Sequence, residues 1–564
     1  MTDSATLYHL LPEILLVAAA TIIYLLGAFA PRAFQPSVLA AGAIVIAAAA
    51  AIYQDTHSVP VHTLDAWING PFVFDLLGHA ARWAILLFGF LFAVLTSSSR
   101  SIRPAAEYAG SLLLIVAGLM IVATAYDLVL MFLGLELVSI PTYILLYLGR
   151  RDPAGQEATA KYFFLSILSS ALLLYGFSFL YGLAGNTRLD YLFNQLNAVP
   201  QLSDARAAMY LKLAPLAMLL VFAGLGFRMT AVPFHFYAPD VYQGTSHPNA
   251  GLLATLTKIA GLLALVRIVV ASMPGAEMQG LGWRIALVMS VLTMTLGNVL
   301  ALWQDNIRRL LAYSSIAHGG YILIGVAVGL ATAANGDPSI SPELNGVGTA
   351  LFYLAVYCLA TIAAFAALHY LGSQDRQVDG VDELTGLGRT RPLPALALAV
   401  AMFSLAGVPP LAGFWGKFTL FSGALEVGVP TASAAAGSGA ATAVDALRTL
   451  HPWFTGLAVI GVLNAAIGMA YYLRVVATMY FRAPVTTIKA EGGAGPWIAM
   501  LFSTLLVVAA GVFPGPIVGA ADRAGRAVQR PLAPTEQSDP HRRIAVPIDD
   551  GSLPTQGRTR HEAN

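Results

Sequence analysis

The chain has 564 residues, of which 57% are hydrophobic and 11% are charged, and its mean hydropathy is +0.71. Soluble domains carry about 25% charged residues, so this composition excludes a soluble protein and predicts a polytopic membrane protein. The net charge of +1 excludes a basic nucleic-acid-binding face. The single cysteine, Cys358, excludes an intrachain disulfide framework and a cysteine-ligated metal or iron–sulfur site.

The predicted fold is all-α, with fourteen transmembrane spans of about 20 residues each. The spans are expected at residues 8–30, 36–54, 72–97, 106–125, 127–149, 158–184, 210–233, 249–272, 283–303, 308–330, 346–371, 394–424, 455–480 and 497–519. The N-terminus lacks a basic region before its first apolar run, so no cleaved signal peptide is expected. An even number of spans places both termini on one side, and the excess of Lys and Arg in the loops of the opposite side predicts that both are periplasmic in a bacterial inner membrane.

Two segments do not fit a membrane helix. Residues 431–446, TASAAAGSGAATAVDA, are predicted to be a loop insertion. Residues 521–564 are polar and rich in proline, so they are predicted to form a disordered tail. No function follows from either segment.

A weak internal repeat divides the spans. YDLVLMFLGLELVSIPTYIL begins at Tyr126 and QDNIRRLLAYSSIAHGGYIL begins at Gln304, and a Val-Pro pair recurs at nearly the same spacing. The matches predict two five-helix units, of which the second is inverted because five is odd. Inverted repeats around interrupted helices are typical of transporters. The predicted organisation is helices 1–3 in 1–105, the first unit in 106–272, the second in 283–480 and helix 14 in 497–519.

Prolines mark two candidate interruptions. Pro233 and Pro239 lie at the end of span 7, and Pro409 and Pro410 lie inside span 12. Proline removes an intrahelical hydrogen bond, and at membrane depth the released carbonyls are tolerated only against protein or a wet cavity. Spans 7 and 12 are therefore predicted to be broken helices, with a plain kink as the alternative.

Ionisable residues recur inside the spans. A charge at the bilayer centre costs about 2.5–3.5 kcal/mol on insertion scales, and buried acids and bases exchange protons when a neighbouring charge changes. A series on separate helices therefore predicts a proton relay. Its candidate members are Glu136, Lys161, Arg228, Lys258, His318 and Lys417, with His235 after the break in span 7.

Some members have structural alternatives. Lys161 could form a helix-surface pair with Glu157, and His318 could be a satisfied core histidine. Arg228 stays protonated, so it can set a field or bind a carboxylate but not release a proton. Since the chain contains no P-loop and no dinucleotide-binding motif, no cofactor site is expected in it.

Several motifs together resemble one family. LPEILL, GLELVSIPTYIL, VPFHFYAPDVYQG, NIRRLLAYSSIAHGGYILIG and VPPLAGFWGKF are similar to motifs of the antiporter-like membrane subunits of respiratory complex I. The ending APDVYQG and the count of fourteen spans point to the subunit N branch. Two departures are that Arg228 stands where the family usually has lysine, and that TSHPNAG, with His247, follows YQG.

The resemblance implies a mid-membrane proton axis formed by a Glu136–Lys161 pair, Lys258 and Lys417. It implies a subunit of a proton-translocating NADH:quinone oxidoreductase, assembled with other membrane subunits. NADH, FMN, iron–sulfur clusters and quinone would bind in partner subunits. Two alternatives remain: a subunit of a multi-subunit cation/proton antiporter, which shares this fold, and a scaffold whose charges hold helices together.

Overall fold

The computed structural model describes residues 4–30, 34–57, 67–97, 105–150, 152–198, 205–270, 276–335, 345–372, 377–429, 449–484 and 490–529. The predicted insertion at 431–446 lies outside the described residues, as do residues 530–564 of the predicted tail.

Most of the described chain is helical, because long apolar runs in a membrane must satisfy their backbone hydrogen bonds within the segment. The N-terminal part contains α1 (Ser4–His9), α2 (Leu11–Phe29), α3 (Pro36–His57), α4 (Leu76–Thr96), α5 (Ala105–Thr124), α6 (Leu128–Gly149), α7 (Pro153–Ala184), α8 (Leu189–Ala198), α9 (Ala205–Arg228), α10 (Ala238–Gly244) and α11 (His247–Leu265), which a π-helical turn extends over Val266–Val270.

The C-terminal part contains α12 (Ala276–Ala301), α13 (Ile307–Asn335), α14 (Gly346–Leu371), a 3-10 turn (Val381–Leu384), α15 (Leu387–Thr390), α16 (Pro392–Ala406), α17 (Ala412–Glu426), α18 (His451–Phe481), α19 (Ala494–Val512) and α20 (Gly515–Gln529). Twelve helices in the described ranges are long and apolar enough to cross a membrane. This chain is therefore a polytopic helical membrane protein.

A short antiparallel hairpin precedes α4. Its strands are β1 (Trp67–Asn69) and β2 (Phe72–Phe74). The predicted start of span 3, residue 72, lies in this hairpin, and the helix begins only at Leu76. Asp75 is its N-cap, and the Asp75 side chain accepts a hydrogen bond of 2.8 Å from the Gly78 N–H. Such a side-chain cap satisfies a donor that the first turn of a helix leaves open.

Helix α11 lies at the centre of the bundle. All of its residues, and those of the π-helical turn that follows, are buried. It packs against α4, α5, α6, α9, α13 and α14. A helix that is buried on every side has no lipid-facing surface, so any charge on it faces protein.

Two helices are interrupted where the prolines cluster. The chain leaves α9 after Arg228 and enters α10 at Ala238, and it leaves α16 after Ala406 and enters α17 at Ala412. Each connection contains a cis peptide bond, before Pro233 in the first and before Pro410 in the second. Thr230, with φ +56°, and Gly407, with φ +90°, turn the chain at the start of each connection.

The helices that carry the two repeated motifs start in the same way. Leu128 donates its N–H to the Thr187 carbonyl at 2.9 Å, and Ile307 donates its N–H to the Asp379 carbonyl at 2.8 Å. Both contacts belong to isolated antiparallel bridges, one at Asp127 and the other at Asn306. The two motifs therefore share a backbone arrangement as well as a sequence pattern.

The predicted disordered tail begins too early. Helix α20 extends to Gln529, so residues 521–529 are helical. Asp522 accepts a hydrogen bond of 2.7 Å from the Asn345 N–H at the start of α14, and Ala524 is fully buried. The tail composition obscured this helix because alternating Ala, Gly and Arg can place one apolar face against the protein and leave the arginines outside.

Candidate functional site

Glu136 is held in an ion pair. It lies near the middle of α6, and its Oε1 is 3.2 Å from Nη2 of Arg228, the last residue of α9. Arg228 is 5% exposed and Glu136 is 22% exposed. The Ser170 hydroxyl on α7 donates to the same carboxylate oxygen. The cation that faces this carboxylate is thus a guanidinium, which stays charged.

Arg228 also binds the backbone of α6. Its Nη1 donates to the Ser139 hydroxyl at 2.6 Å and to the Leu135 carbonyl at 3.2 Å. These contacts fix the end of α9 against α6. A planar guanidinium can serve several acceptors at once in this way, which a lysine ammonium does less well.

Lys161 does not pair with Glu136, contrary to what the family resemblance implies. Its Nζ lies 2.7 Å from Glu157 and 2.9 Å from Asp240. Lys161 precedes Ser170, the α7 residue that contacts Glu136, by more than two helical turns, or roughly 13 Å along the axis at 1.5 Å per residue. That separation exceeds the reach of a lysine side chain, so the pair with Glu136 is not formed in this structure.

Lys258 is fully buried on α11 and faces the break after α9. Its Nζ donates to the Met229 carbonyl at 2.8 Å and also to the Thr230 hydroxyl. Carbonyls at the end of a helix have no intrahelical donor and carry partial negative charge, which favours a cation. The break in span 7 therefore supplies the ligands of this lysine.

Gly319 on α13 makes room for that contact. A Cβ at this position would come within 2.7 Å of the Met229 carbonyl oxygen and 3.7 Å of Lys258 Nζ. Any larger residue would therefore displace the acceptor of the lysine.

Lys417 occupies an equivalent place at the second break. It is buried on α17, and its Nζ donates to the Leu405 carbonyl at 3.0 Å and to the Ala406 carbonyl at 2.8 Å. The ammonium also lies 5.1 Å from the centroid of the Tyr321 ring. Both buried lysines thus bind main-chain carbonyls at the C-terminal end of an interrupted helix.

His318 lies on α13 between the two lysine sites. The neighbouring Gly319 approaches Lys258, and Tyr321, one turn further along, lies under Lys417. The ring nitrogens of His318 are both hydrogen-bonded: Nδ1 is 2.6 Å from the Tyr353 hydroxyl and Nε2 is 2.9 Å from the Tyr472 hydroxyl. Because neutral imidazole has one donor and one acceptor nitrogen, a proton can enter at one side and leave at the other.

His235 lies apart from this group. It belongs to the connection between α9 and α10, is partly buried and contacts the Pro233 backbone. In the part of the chain that the structure describes, the His235 side chain forms no hydrogen bond with Arg228 or Lys258. Of the seven predicted site residues, the structure brings Glu136 and Arg228 into contact and aligns Lys258, His318 and Lys417 around α13.

Similarity to known proteins shows the family of this chain. Over residues 125–442 the chain matches the protein family described as NADH:quinone oxidoreductase/Mrp antiporter, TM. It is 34% identical over 531 residues to the NADH-quinone oxidoreductase subunit N of Paramagnetospirillum magneticum, an alignment that covers 93% of this chain and 99% of the relative. The chain belongs to the NADH-quinone oxidoreductase subunit N family. The resemblance noted in its motifs is confirmed.

Solved structures agree with this family. A chain of the respiratory complex I from Thermus thermophilus with bound aureothin is 29% identical, with a TM-score of 0.68 over 91% of this chain and 99% of that one. A chain of the Mrp complex from Dietzia sp. DQ12-45-1b is 20% identical, with a TM-score of 0.70 over 93% and 98%. At that identity the second likeness concerns the fold alone.

Sequence reasoning missed the residues that hold the ionisable groups of this subunit N family member. Ser139, Ser170 and Thr230 are short hydroxyl residues without a distinctive sequence pattern. Tyr353 and Tyr472 lie far from His318 along the chain, so only the fold brings them together. Asp240 was visible in APDVYQG, and a carboxylate directly after Pro239, at the end of a broken span, was a signal that the sequence offered. Among the described residues, no group of three His, Cys, Asp or Glu side chains could hold a metal ion.

Proposed function

We propose that this chain is the proton-translocating membrane subunit of a NADH-quinone oxidoreductase, and that it couples electron transfer in partner subunits to proton pumping. NADH, FMN, iron–sulfur clusters and quinone bind in those partners. The chain spans the bacterial inner membrane fourteen times, with both termini in the periplasm. Its two five-helix units, 106–272 and 283–480, are related by inversion.

Two features support the inverted units. Each unit has one helix interrupted beside a cis proline, and each has a motif helix that starts at the same kind of backbone bridge, at Asp127 in one and Asn306 in the other. Local features that recur as a set are typical of structural repeats in transporters.

One observation carries the mechanism. Arg228 and Met229 are consecutive, and the side chain of the first binds Glu136 while the carbonyl of the second holds Lys258. When Glu136 takes up a proton, the attraction that holds Arg228 is lost. Two unit charges 10 Å apart still interact by about 1.7 kcal/mol at an effective dielectric constant of 20. The released arginine charge then disfavours a second charge on Lys258, and its proton moves on through His318 toward Lys417.

The remaining predicted members take other places in this proposal. Lys161 lies at the end of α7 that faces the cytoplasm in the proposed orientation, where it neutralises the carboxylates around it. His235 lies in the connection between α9 and α10, from which water could reach Lys258.

The test is NADH-driven acidification of inverted membrane vesicles that contain a Glu136→Gln variant. Glutamine keeps the size of the side chain and removes its charge, so we expect assembled complex with lower NADH oxidation and lower proton pumping. Glu107→Gln, in the first turn of α5, is the matched control and should behave like wild type. If Glu136→Gln assembles, oxidises NADH and pumps at the wild-type level, the carboxylate is not needed as a charge and the proposal fails.

The antiporter alternative shares the fold but makes a different prediction. An antiporter subunit would move protons against sodium without NADH. A sodium gradient applied to the same vesicles should leave their internal pH unchanged if the subunit N assignment is right. A scaffold role predicts instead that Glu136→Gln lowers the amount of assembled complex and leaves the activity per complex intact.

A further inference from the structure

Asp240 connects three helices through its two carboxylate oxygens. Oδ2 lies 2.9 Å from Nζ of Lys161 on α7, and Oδ1 lies 2.7 Å from Nη1 of Arg309 on α13. Arg309 also donates to Gln243, one turn further along α10, at 3.1 Å. Each oxygen thus has its own cation, and the carboxylate belongs to the short helix between them.

The position of α10 depends on both neighbours. At its end, a Cβ on Gly244 would meet the Ala154 carbonyl and the Ala158 Cβ of α7 at 2.6 Å each. On its other side, the Tyr242 hydroxyl lies 3.4 Å from the Ser315 hydroxyl of α13. The helix has only seven residues, too few to be stable without such contacts. Asp240 supplies its charged contacts.

The same short helix ends the connection that holds Lys258. That connection starts at Met229 and Thr230, whose oxygens accept from the ammonium, and it leads into α10 at Ala238. A displacement of α10 would pull on this connection. The oxygens that accept hydrogen bonds from the Lys258 ammonium would then be displaced from it.

We infer that Asp240 is a positioning residue for proton transfer at Lys258. Its ion pairs with Lys161 and Arg309 clamp α10 between α7 and α13, so the charge of Lys161 influences the break in span 7 where Lys258 is bound. This inference rests on the proposed function. Lys161 and Asp240 are each 40% exposed, and exposed ion pairs contribute little to folding. Removal of the clamp therefore affects pumping more than assembly.

The first test replaces the carboxylate by an amide. Asp240→Asn keeps the shape and leaves Lys161 and Arg309 facing an uncharged group. We expect the initial rate of NADH-driven vesicle acidification to fall by about threefold, the range that an exposed ion pair supports, and Asp240→Glu to restore most of it. Asp305→Asn is the control, because Asp305 also faces an arginine, Arg474 at 3.6 Å, but is 94% exposed.

The second test is a double-mutant cycle with Lys161→Gln. If Lys161 acts through Asp240, the double variant pumps at least as much as whichever single variant pumps less. If the two act independently, their losses multiply. Multiplied losses, or an Asp240→Asn variant that pumps like Asp305→Asn, overturn the inference.

Glu136→Gln measured in the same vesicles separates this inference from the proposed function. If Glu136→Gln lowers pumping while Asp240→Asn matches its control, only the role of Asp240 is wrong. If Glu136→Gln has no effect, the proposed function itself fails.

Discussion

At the residue scale, Arg228 changes how the Glu136 pair can work. Its guanidinium cannot release a proton under physiological conditions, so in the proposed relay the proton resides on the carboxylate or passes beyond the pair. Its contacts to Leu135, Ser139 and Glu136 also make it a structural link between α6 and α9. A single guanidinium thus combines a fixed charge with a mechanical role.

Replacement of this arginine by lysine should make pumping sensitive to alkaline pH. A lysine can lose its proton in a buried site whereas an arginine cannot, so we expect Arg228→Lys to pump near neutral pH and to lose activity as the pH rises. The measurement is the pH profile of vesicle acidification.

Arg82→Lys provides the control for this prediction. Arg82 forms a similar buried pair with Glu13 at 2.9 Å, away from the proposed relay. Identical pH profiles for the two variants would show that the effect does not come from the Glu136 pair.

The sequence identified the two buried lysines of the candidate site but not their partners. Lys258 and Lys417 stand out because a charge inside a long apolar run is costly. Their acceptors are mostly main-chain carbonyls, which every residue type has, so no sequence pattern could name them. The hydroxyls around His318 come from helices distant in the chain, and only the packed fold reveals them.

At the element scale, the start of α6 positions Glu136. Asp127 precedes this helix and its Oδ1 accepts from the Val129 N–H at 2.8 Å and the Leu130 N–H at 3.2 Å. Its other oxygen accepts from the Thr187 hydroxyl, which joins this cap to the segment before α8. One carboxylate thus fixes both the first turn of α6 and its neighbour.

Loss of this cap should destabilise the subunit in the assembled complex. Asp127→Ala removes both sets of contacts, and we expect a loss of about 1 kcal/mol in the free energy of unfolding, a typical value for an N-cap. Asp127→Asn keeps an acceptor for the backbone and should lose much less. Thermal unfolding of the purified complex measures the difference, and equal losses in the two variants would contradict the capping role.

The helix positions followed from hydropathy, and their exact limits did not. The span predicted at 346–371 coincides with α14, whereas the hairpin before α4 and the helix α20 were not anticipated. Long apolar runs directly indicate helices that span the membrane. Short amphipathic elements such as α20 are stable only against the protein surface that they cover. The sequence of the element alone does not show which surface that is.

At the scale of the whole molecule, the loop charges predict which side of the membrane each terminus faces. The distribution of Lys and Arg predicts periplasmic termini. Arg523 on α20 then faces the periplasm, and Glu491, before α19, faces the cytoplasm; both side chains are exposed. These two positions allow a direct test.

Cysteine labelling should distinguish the two sides. The natural Cys358 is fully buried, so it should not react with a membrane-impermeant maleimide. We expect Arg523→Cys to be labelled in cells with a permeabilised outer membrane and Glu491→Cys to be labelled only in inverted vesicles. The reverse pattern would place both termini in the cytoplasm.

The two buried lysines have a genetic consequence. Their ligands at Met229, Leu405 and Ala406 are carbonyl oxygens, so the side chains at these positions do not bind the ammonium. A saturation mutagenesis screen should tolerate other apolar residues there and reject almost every change at Lys258 and Lys417. A comparison of tolerated sequences would then record the two lysines but not the peptide carbonyls that bind them.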